Sequence, residues 1–600
     1  MGFFVSLGSI PLMTVICITA CLGALLHADN TVVDLGYATY QGYYNRTSGL
    51  NVFLGIRYAA PPVGRLRWQA PQSPLANRAT IIPATEQPPL CPQSGAAQLP
   101  KVYGFNSALG DEDCLFLNVY APPAAQYLPV LVWIHGGGYG LNGAIYDPSE
   151  WINSNEDGFI SVMIQYRLGA FGFLASADVS KYGQTNVGLL DMRIALEWVQ
   201  KHISQFGGDP SRVTLGGESS GAGAAMLQAM AYGGREDHLF SNIIASSPYT
   251  VTQYRYDDDV PTGHYRAFAR QAGCLAGDES VGPRTFACLM ETDTNTLQNA
   301  SGLISTSGAW GTFAFLPVID GDFIRELPSK QLLEKRVSGK RVLSGNNAND
   351  GIPLGLPNVG TSAEFMTYVR GAFPRFIASD FSRLLKLYGF ASSSSLDRLD
   401  SLYDTLGDRG PTASNQSEFA TGYQQMAFNI FAETAFDCPS YWLADAFSGN
   451  NDIESWKYQY SVTPAYHGAD LTAYFSVGTT TPTRSIRHAV QKMWGSFIIN
   501  DCPVISTQDA KGGASNATAP EDSDGNIFWP PWNDSSPMMM NLNTTGGKLV
   551  HHTVTNDLAY WLREEPGVTN DFRLVSANSW EGGRGGRCQF WREVGPRVPQ

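Results

Sequence analysis

The segment Gly217-Glu218-Ser219-Ser220-Gly221 places a serine between two glycines, with strand-like residues before it and small, helix-compatible residues after it. A serine hydroxyl is a weak nucleophile, but on a sharp strand-to-helix turn it stands clear of its neighbours and can attack a carbonyl carbon. Glycines flank such a turn because a side chain there would collide with the adjoining strand and helix. Alone, Gly-x-Ser-x-Gly is a frequent pattern that a chemically silent turn could also produce; the strand and helix around it give it weight. Attack on a carbonyl drives negative charge onto its oxygen, which then needs hydrogen-bond donors. His135-Gly136-Gly137-Gly138 ends another apolar run about eighty residues earlier. The backbone N–H groups of Gly137, Gly138 and Ser220 could converge on that oxygen, so the pattern predicts acyl transfer with Ser219 as nucleophile.

Such a turn needs a rigid sheet beneath it. Val130-Leu131-Val132-Trp133-Ile134 and Ile160-Ser161-Val162-Met163-Ile164 are nearly continuous apolar runs, the mark of strands covered on both faces. Apolar residues then recur at helical spacing over 189–206, and Gly207-Gly208-Asp209-Pro210 stops that helix. Val213-Thr214-Leu215-Gly216-Gly217 reads as the strand entering the turn, and residues 220–225 open the next helix. This order predicts an α/β fold, a doubly wound, mostly parallel sheet with helices on both faces. Short strands are expected within 37–56 around Ser48-Gly49, then an irregular Pro-rich covering loop over 61–92. Later, helices are expected over about 363–388 and 416–447, strands near 341–343 and 456–460, and a polar surface loop over about 506–526. Core-like Phe528-Trp529-Pro530-Pro531-Trp532 follows, so residues 29–600 read as one catalytic domain behind a leader.

With 43% hydrophobic and 16% charged residues, the chain can bury a large core. Its net charge of −14, without a long basic run, argues against nucleic-acid or anionic-membrane partners. Residues 1–28 carry no Asp, Glu, Lys or Arg and contain an apolar run, which resembles a signal peptide ending at Ala28. A retained membrane anchor has the same composition, and Gly2 with Ser6 fits a myristoylation pattern, although the apolar run favours export with no stable anchor after cleavage. Sequons at Asn45, Asn299, Asn415, Asn516, Asn533 and Asn543 agree with a secreted glycoprotein. Cys17 and Cys21 would leave with the leader, and the seven remaining cysteines allow bridges but leave one over. No metal or other cofactor is implied, because no His-x-x-x-His, Cys-x-x-Cys or P-loop pattern occurs at usable spacing.

Three further segments join the Ser219 and His135 motifs: Gly55-Ile56-Arg57-Tyr58-Ala59 with Pro61-Pro62-Val63-Gly64, Glu112-Asp113-Cys114-Leu115-Phe116-Leu117-Asn118-Val119, and Phe206-Gly207-Gly208-Asp209-Pro210. Together they resemble the type-B carboxylesterase family of carboxylesterases, cholinesterases and fungal lipases. The resemblance implies an α/β-hydrolase fold, hydrolysis of small-molecule carboxylic esters through an acyl-enzyme, and a triad completed by Asp350 and His467. Asp350 stands where the family usually has Glu, and Asn349-Asp350-Gly351 also suits an ordinary turn. His467, in Tyr466-His467-Gly468, matches the family's histidine, and the order Ser219, Asp350, His467 is that of the fold. Glu218 would add negative potential beside the histidine or serve the turn alone. Ser247 would steady the triad or simply pack.

The resemblance also implies bridges Cys91–Cys114, Cys274–Cys288 and Cys438–Cys588, with Cys502 spare. Between Cys91 and Cys114 lie Tyr103 and Phe105 but no tryptophan, which argues against cholinesterase activity. That short loop favours an esterase of soluble or moderately apolar esters over a lipase or sterol esterase. A pathway-specific esterase or acyltransferase would use the same residues, whereas a binding-only relative would lack the nucleophile or the base. Oligomeric state is not legible.

Overall fold

The continuous apolar runs become the centre of one large sheet. A computed structural model describes residues 31–598 except 100–106, 251, 278–279, 390–406, 408–411, 414–416, 450–451, 476–481 and 556–557. The leader at 1–28 with Gly2, Ser6, Cys17 and Cys21, the residues Tyr103 and Phe105, and the sequon at Asn415 lie outside the described residues. The strands are β1 (Val32–Asp34), β2 (Ala38–Gln41), β3 (Tyr43–Asn45), β4 (Leu50–Arg57), β5 (Asn77–Pro83), β6 (Phe116–Ala121) and β7 (Leu128–Ile134), then β8 (Ile160–Ile164), β9 (Gly208–Glu218), β10 (Asn242–Ser246), β11 (Arg341–Asn347), β12 (Glu454–Tyr460), β13 (Met538–Thr555) and β14 (Leu558–Ser576). The helices that matter below are α1 (Val187–His202), α2 (Ser220–Gly234), α3 (Gly422–Ala432), α4 (Cys438–Ala446), α5 (Arg484–Asn500) and α6 (Trp580–Val594).

The large sheet runs β14-β13-β12-β11-β10-β9-β7-β8-β6-β4-β3, and β1-β2-β5 form a small separate sheet. Neighbours from β13 through β8 pair in parallel, whereas β14, β6, β4 and β3 pair antiparallel at the two ends. Side chains of a strand alternate between faces, so an unbroken apolar run must feed two cores. It does: Val130, Val132 and Ile134 join one cluster with residues of α1, α2, α4 and α6, while Leu131 and Trp133 join a second cluster with α5. The doubly wound α/β expectation is therefore met. From β7 the chain passes to β8 on one side and then returns to lay β9 on the other. That switch opens a crevice at the carboxyl ends of the strands, where ligands bind in such sheets.

Several local expectations need revision. The Pro-rich stretch contains β5, which pairs with β2. The helix foreseen over 363–388 is two, Ser362–Ala372 and Ala378–Leu387. Pro374 explains the break, because the residue before a proline is pushed out of the helical region and Phe373 sits at φ −124°, ψ 65°. The segment foreseen as helix over 416–447 is α3, a single π-helical turn (Glu433–Asp437) and α4. The β13–β14 hairpin had no sequence signal of its own. It pairs with β12 only through Met540–Leu542, and beyond that its polar residues, among them Lys548, His551, Arg563 and Glu564, interrupt any apolar run.

Cys91–Cys114, Cys274–Cys288 and Cys438–Cys588 are joined as disulfides, and Cys502 is free. Of the described sequons, Asn299, Asn516 and Asn533 are exposed, and Asn45 and Asn543 are half-buried. Among the described residues no helix is long and apolar enough to cross a membrane.

Candidate active site

The candidate site residues come from loops after different parallel strands: Gly137 and Gly138 after β7, Ser219 and Ser220 after β9, which ends in Glu218, Ser247 after β10, Asp350 after β11 and His467 after β12. The sheet thereby brings five loops to one edge. Ser219 holds φ +58°, ψ −126°, a backbone conformation that non-glycine residues rarely adopt, and its N–H is tied to the Ser246 carbonyl at 2.9 Å. The neighbouring glycines are obligatory. A Cβ on Gly217 would lie 2.4 Å from the Gly221 carbonyl carbon, and one on Gly221 would lie 2.1 Å from the Ile134 oxygen. A Cβ on Gly136 would meet the Glu218 carboxylate at 2.7 Å, and one on Gly138 would enter the Phe313 ring.

His467 Nε2 lies 2.8 Å from Ser219 Oγ, and His467 Nδ1 lies 2.9 Å from Asp350 Oδ1. All three side chains are almost withdrawn from solvent, with Asp350 fully so. The other oxygen of Asp350 accepts hydrogen bonds from Ser247 Oγ and from the Asn347 N–H, both at 2.8 Å. The turn at Asp350 foreseen as an alternative is present too, and it points the carboxylate at the imidazole. Its residues are pinned to the histidine loop, since Asn349 N–H donates to Ala465 O at 2.9 Å and His467 N–H donates to Ile352 O at 3.0 Å.

The electrostatics favour a base. Burial alone would lower the His467 pKa, but the hydrogen bond to Asp350 and the nearby charges of Glu218, Asp350 and Asp470 outweigh it and raise the value above 6.5. Glu218 Oε1 lies 3.6 Å from His467 Nε2. Burial pushes the Glu218 pKa up to about 8, against the opposing pull of the imidazole. Near Gly137 and Gly138, His135 takes a different part. Burial lowers its pKa to about 4, so it is neutral at ordinary pH. It stacks on Tyr166 at 4.5 Å, and its Nδ1–H donates to the Gly136 carbonyl at 2.9 Å. Among the described residues the backbone N–H groups of Gly137, Gly138 and Ser220 find no protein acceptor and so remain available to a ligand.

Other members of the site had little sequence signal. Asp470 was legible only as the last residue of the segment Ala465-Tyr466-His467-Gly468-Ala469-Asp470. It accepts hydrogen bonds from the Tyr474 hydroxyl and from Asn347 Nδ2, the latter at 3.1 Å. Phe436 comes from the π-helical turn and stacks on the His467 ring with centroids 4.1 Å apart. A cavity of about 310 Å³ is lined by Phe173, Tyr249, Phe313 and Phe431 among others; its wall abuts the catalytic loops, since Tyr249 N–H donates to Ser219 O at 3.0 Å and the Phe313 ring packs on Gly138. A second cavity of about 850 Å³ shares Thr252, Tyr254, Thr312, Phe431 and Thr434 with it.

The chain as a whole resembles known proteins. Residues 29–561 match the profile of the carboxylesterase family. The chain is 31% identical to carboxylesterase patB of Aspergillus clavatus over 527 residues, 78% of this chain and 88% of the relative. It is 35% identical to secreted lipase 1 of Botryotinia fuckeliana over 357 residues, 54% of this chain and 60% of the relative. The crystal structure of Aspergillus niger EstA superposes with a TM-score of 0.71 at 27% identity, covering 95% of this chain and 99% of that one. The chain belongs to the carboxylesterase family of carboxylic ester hydrolases.

Proposed function

We propose that the protein is a secreted serine esterase, and that residues 29–600 are a single catalytic unit working through an acyl-enzyme. The observation that carries this reading is the unbroken line from Ser219 Oγ through His467 to Asp350, with distances of 2.8 and 2.9 Å. Ser219 Oγ attacks the ester carbonyl while His467 Nε2 takes its proton, and Asp350 holds the imidazole by its Nδ1–H and stabilises the cation that forms. Charge on the carbonyl oxygen is met by the N–H groups of Gly137, Gly138 and Ser220. His467 then gives its proton to the departing alcohol. Water repeats the sequence on the acyl-serine, releasing the acid and restoring the hydroxyl.

The cavity whose wall includes Tyr249 and Phe313 is lined chiefly by aromatic and small residues, which suits a moderately apolar acyl group. Export is supported by the leader composition, by bridges of the kind that persist in oxidising compartments, and by relatives named as secreted lipases. N-glycans at the exposed sequons Asn299, Asn516 and Asn533 belong to the same reading.

The test is hydrolysis of aryl and alkyl esters of graded acyl length by purified protein, with intact-mass analysis of the trapped acyl-enzyme. Acylation at Ser219, abolished in Ser219→Ala, is the expected result; full turnover by that variant would refute the mechanism. A steep preference for long-chain esters would favour a lipase, and acyl transfer to an alcohol in place of water would mark an acyltransferase.

A further inference from the structure

The reactive histidine has an aromatic partner that no part of the triad requires. Phe436 is fully buried, and its ring lies over the His467 imidazole with centroids 4.1 Å apart and planes 28° from parallel. It stands on the π-helical turn Glu433–Asp437, an inserted residue's worth of helix of the kind that often serves a site. That turn is fixed at several points. Ala435 O accepts from Thr250 N–H at 2.8 Å, just beyond β10. Glu433 accepts from Arg587 Nη2 at 2.7 Å, and Arg584 Nη2 faces Asp437 at 3.2 Å. Cys438, the residue directly after the turn, is bridged to Cys588 of α6. The side chains of Glu433, Asp437, Arg584 and Arg587 are all withdrawn from solvent.

We propose that Phe436 is a positioning residue for the proposed acyl-transfer reaction: its ring fixes the plane of the His467 imidazole and stabilises the imidazolium formed when Ser219 is deprotonated. The inference rests on the assignment of Ser219 and His467 above. Two bonds along the imidazole edge, to Ser219 and Asp350, still allow the ring to tilt about the line joining them. A rigid surface against its face removes that freedom. An aromatic face is negative above its centre, so a cation resting on it is favoured where water is absent. Glu218, Asp350 and Asp470 also act on this imidazole, whereas the carboxylates of Glu433 and Asp437 on the π-helical turn are met by Arg584 and Arg587. The ring is therefore the contribution of the turn to His467.

The test is a set of pH–rate profiles for the full-length protein and its Phe436→Leu, Phe436→Met and Phe436→Tyr variants, with Ser219→Ala as control. Leu and Met fill much of the volume without an aromatic face. They are expected to lower kcat roughly tenfold with KM within about twofold, and to move the acidic limb of kcat/KM down by roughly half a pH unit. Phe436→Tyr, which keeps the face, recovers most of the loss. Wild-type kcat and an unmoved acidic limb in Leu and Met would overturn the proposal, as would equal losses in all three variants. Should the apolar variants fail to fold, NMR of histidine-labelled wild-type protein decides the matter: the ring C–H signals of His467 are expected upfield from the Phe436 ring current, and unshifted signals would overturn it. Retained turnover in Ser219→Ala would instead sink the triad assignment itself.

Discussion

Ser247 Oγ donates to the Asp350 oxygen that faces away from His467, at 2.8 Å. Ser247 is itself held at φ +51°, with its N–H bonded to Gly345 O at 2.8 Å, so β10 delivers this hydroxyl to a carboxylate borne by the loop after β11. Replacing it by alanine leaves the Asn347 N–H as the remaining close donor to that oxygen. We expect Ser247→Ala to fold and to lose about one log unit or less in kcat/KM, the scale of one buried hydrogen bond. Steady-state kinetics beside a thermal melt would check this, and an unchanged kcat/KM would reduce Ser247 to packing.

Asp350 itself should matter far more. Asp350→Asn keeps the size but presents an amide that can hold the imidazole in the wrong tautomer. A loss on the order of 10³- to 10⁴-fold in kcat is expected, with substrate binding little changed. A loss below tenfold would move the triad acid elsewhere, with Glu218 or Asp470 the nearest carboxylates.

The pH dependence follows from the directions of the shifts. His467 acts as a base only when neutral, and its pKa is raised, so activity falls as the pH drops through a value above 6.5. Glu218 contributes to that rise. With its own pKa pushed up to about 8, Glu218 is only partly ionised near neutral pH; Glu218→Gln removes that partial charge 3.6 Å from Nε2, which should lower the imidazole pKa slightly and carry activity a little toward more acidic pH. An acidic limb that stays put, or climbs, in Glu218→Gln would show that Glu218 serves the turn alone.

Bridge removal should scale with the loop enclosed. Cys438 and Cys588 lie 150 residues apart, Cys274 and Cys288 only 14. Chain-entropy reasoning assigns about 5 kcal/mol to the longer loop and about 3 kcal/mol to the shorter. The double serine variant of the first pair should therefore melt at a lower temperature than that of the second. The reverse order would mean that local packing, not chain connectivity, decides.

How much of this was legible in the sequence varies with the kind of signal. Strands such as β7 and β8 were readable because burial on both faces demands unbroken apolar runs, and Ser219 because its turn demands glycines where a Cβ has no room. Asp350 and His467 were located by family likeness, not by local physics: a polar turn and a lone histidine look alike whether or not the fold joins them. Phe436 and Tyr474 carried no signal at all. An aromatic residue in a helix reads as core, and only the packing of the π-helical turn on the β12 loop shows which ring it covers. The hairpin β13–β14 escaped because its register is enforced by a partner strand more than by alternating hydrophobicity.

The Cys438–Cys588 link and the arginines of α6 have a consequence for how the chain tolerates trimming. A protease that clipped the chain between β14 and α6 would leave the tail tethered by one bond between sulfurs, and reduction would then release it. Glu433 and Asp437 would be stranded in the interior without Arg584 or Arg587. Buried acids left without counter-ions must either take up protons or draw in water, and either response loosens the floor beneath the histidine. Helix α6 thus pins, through two arginines and one disulfide, the turn that carries the ring over His467.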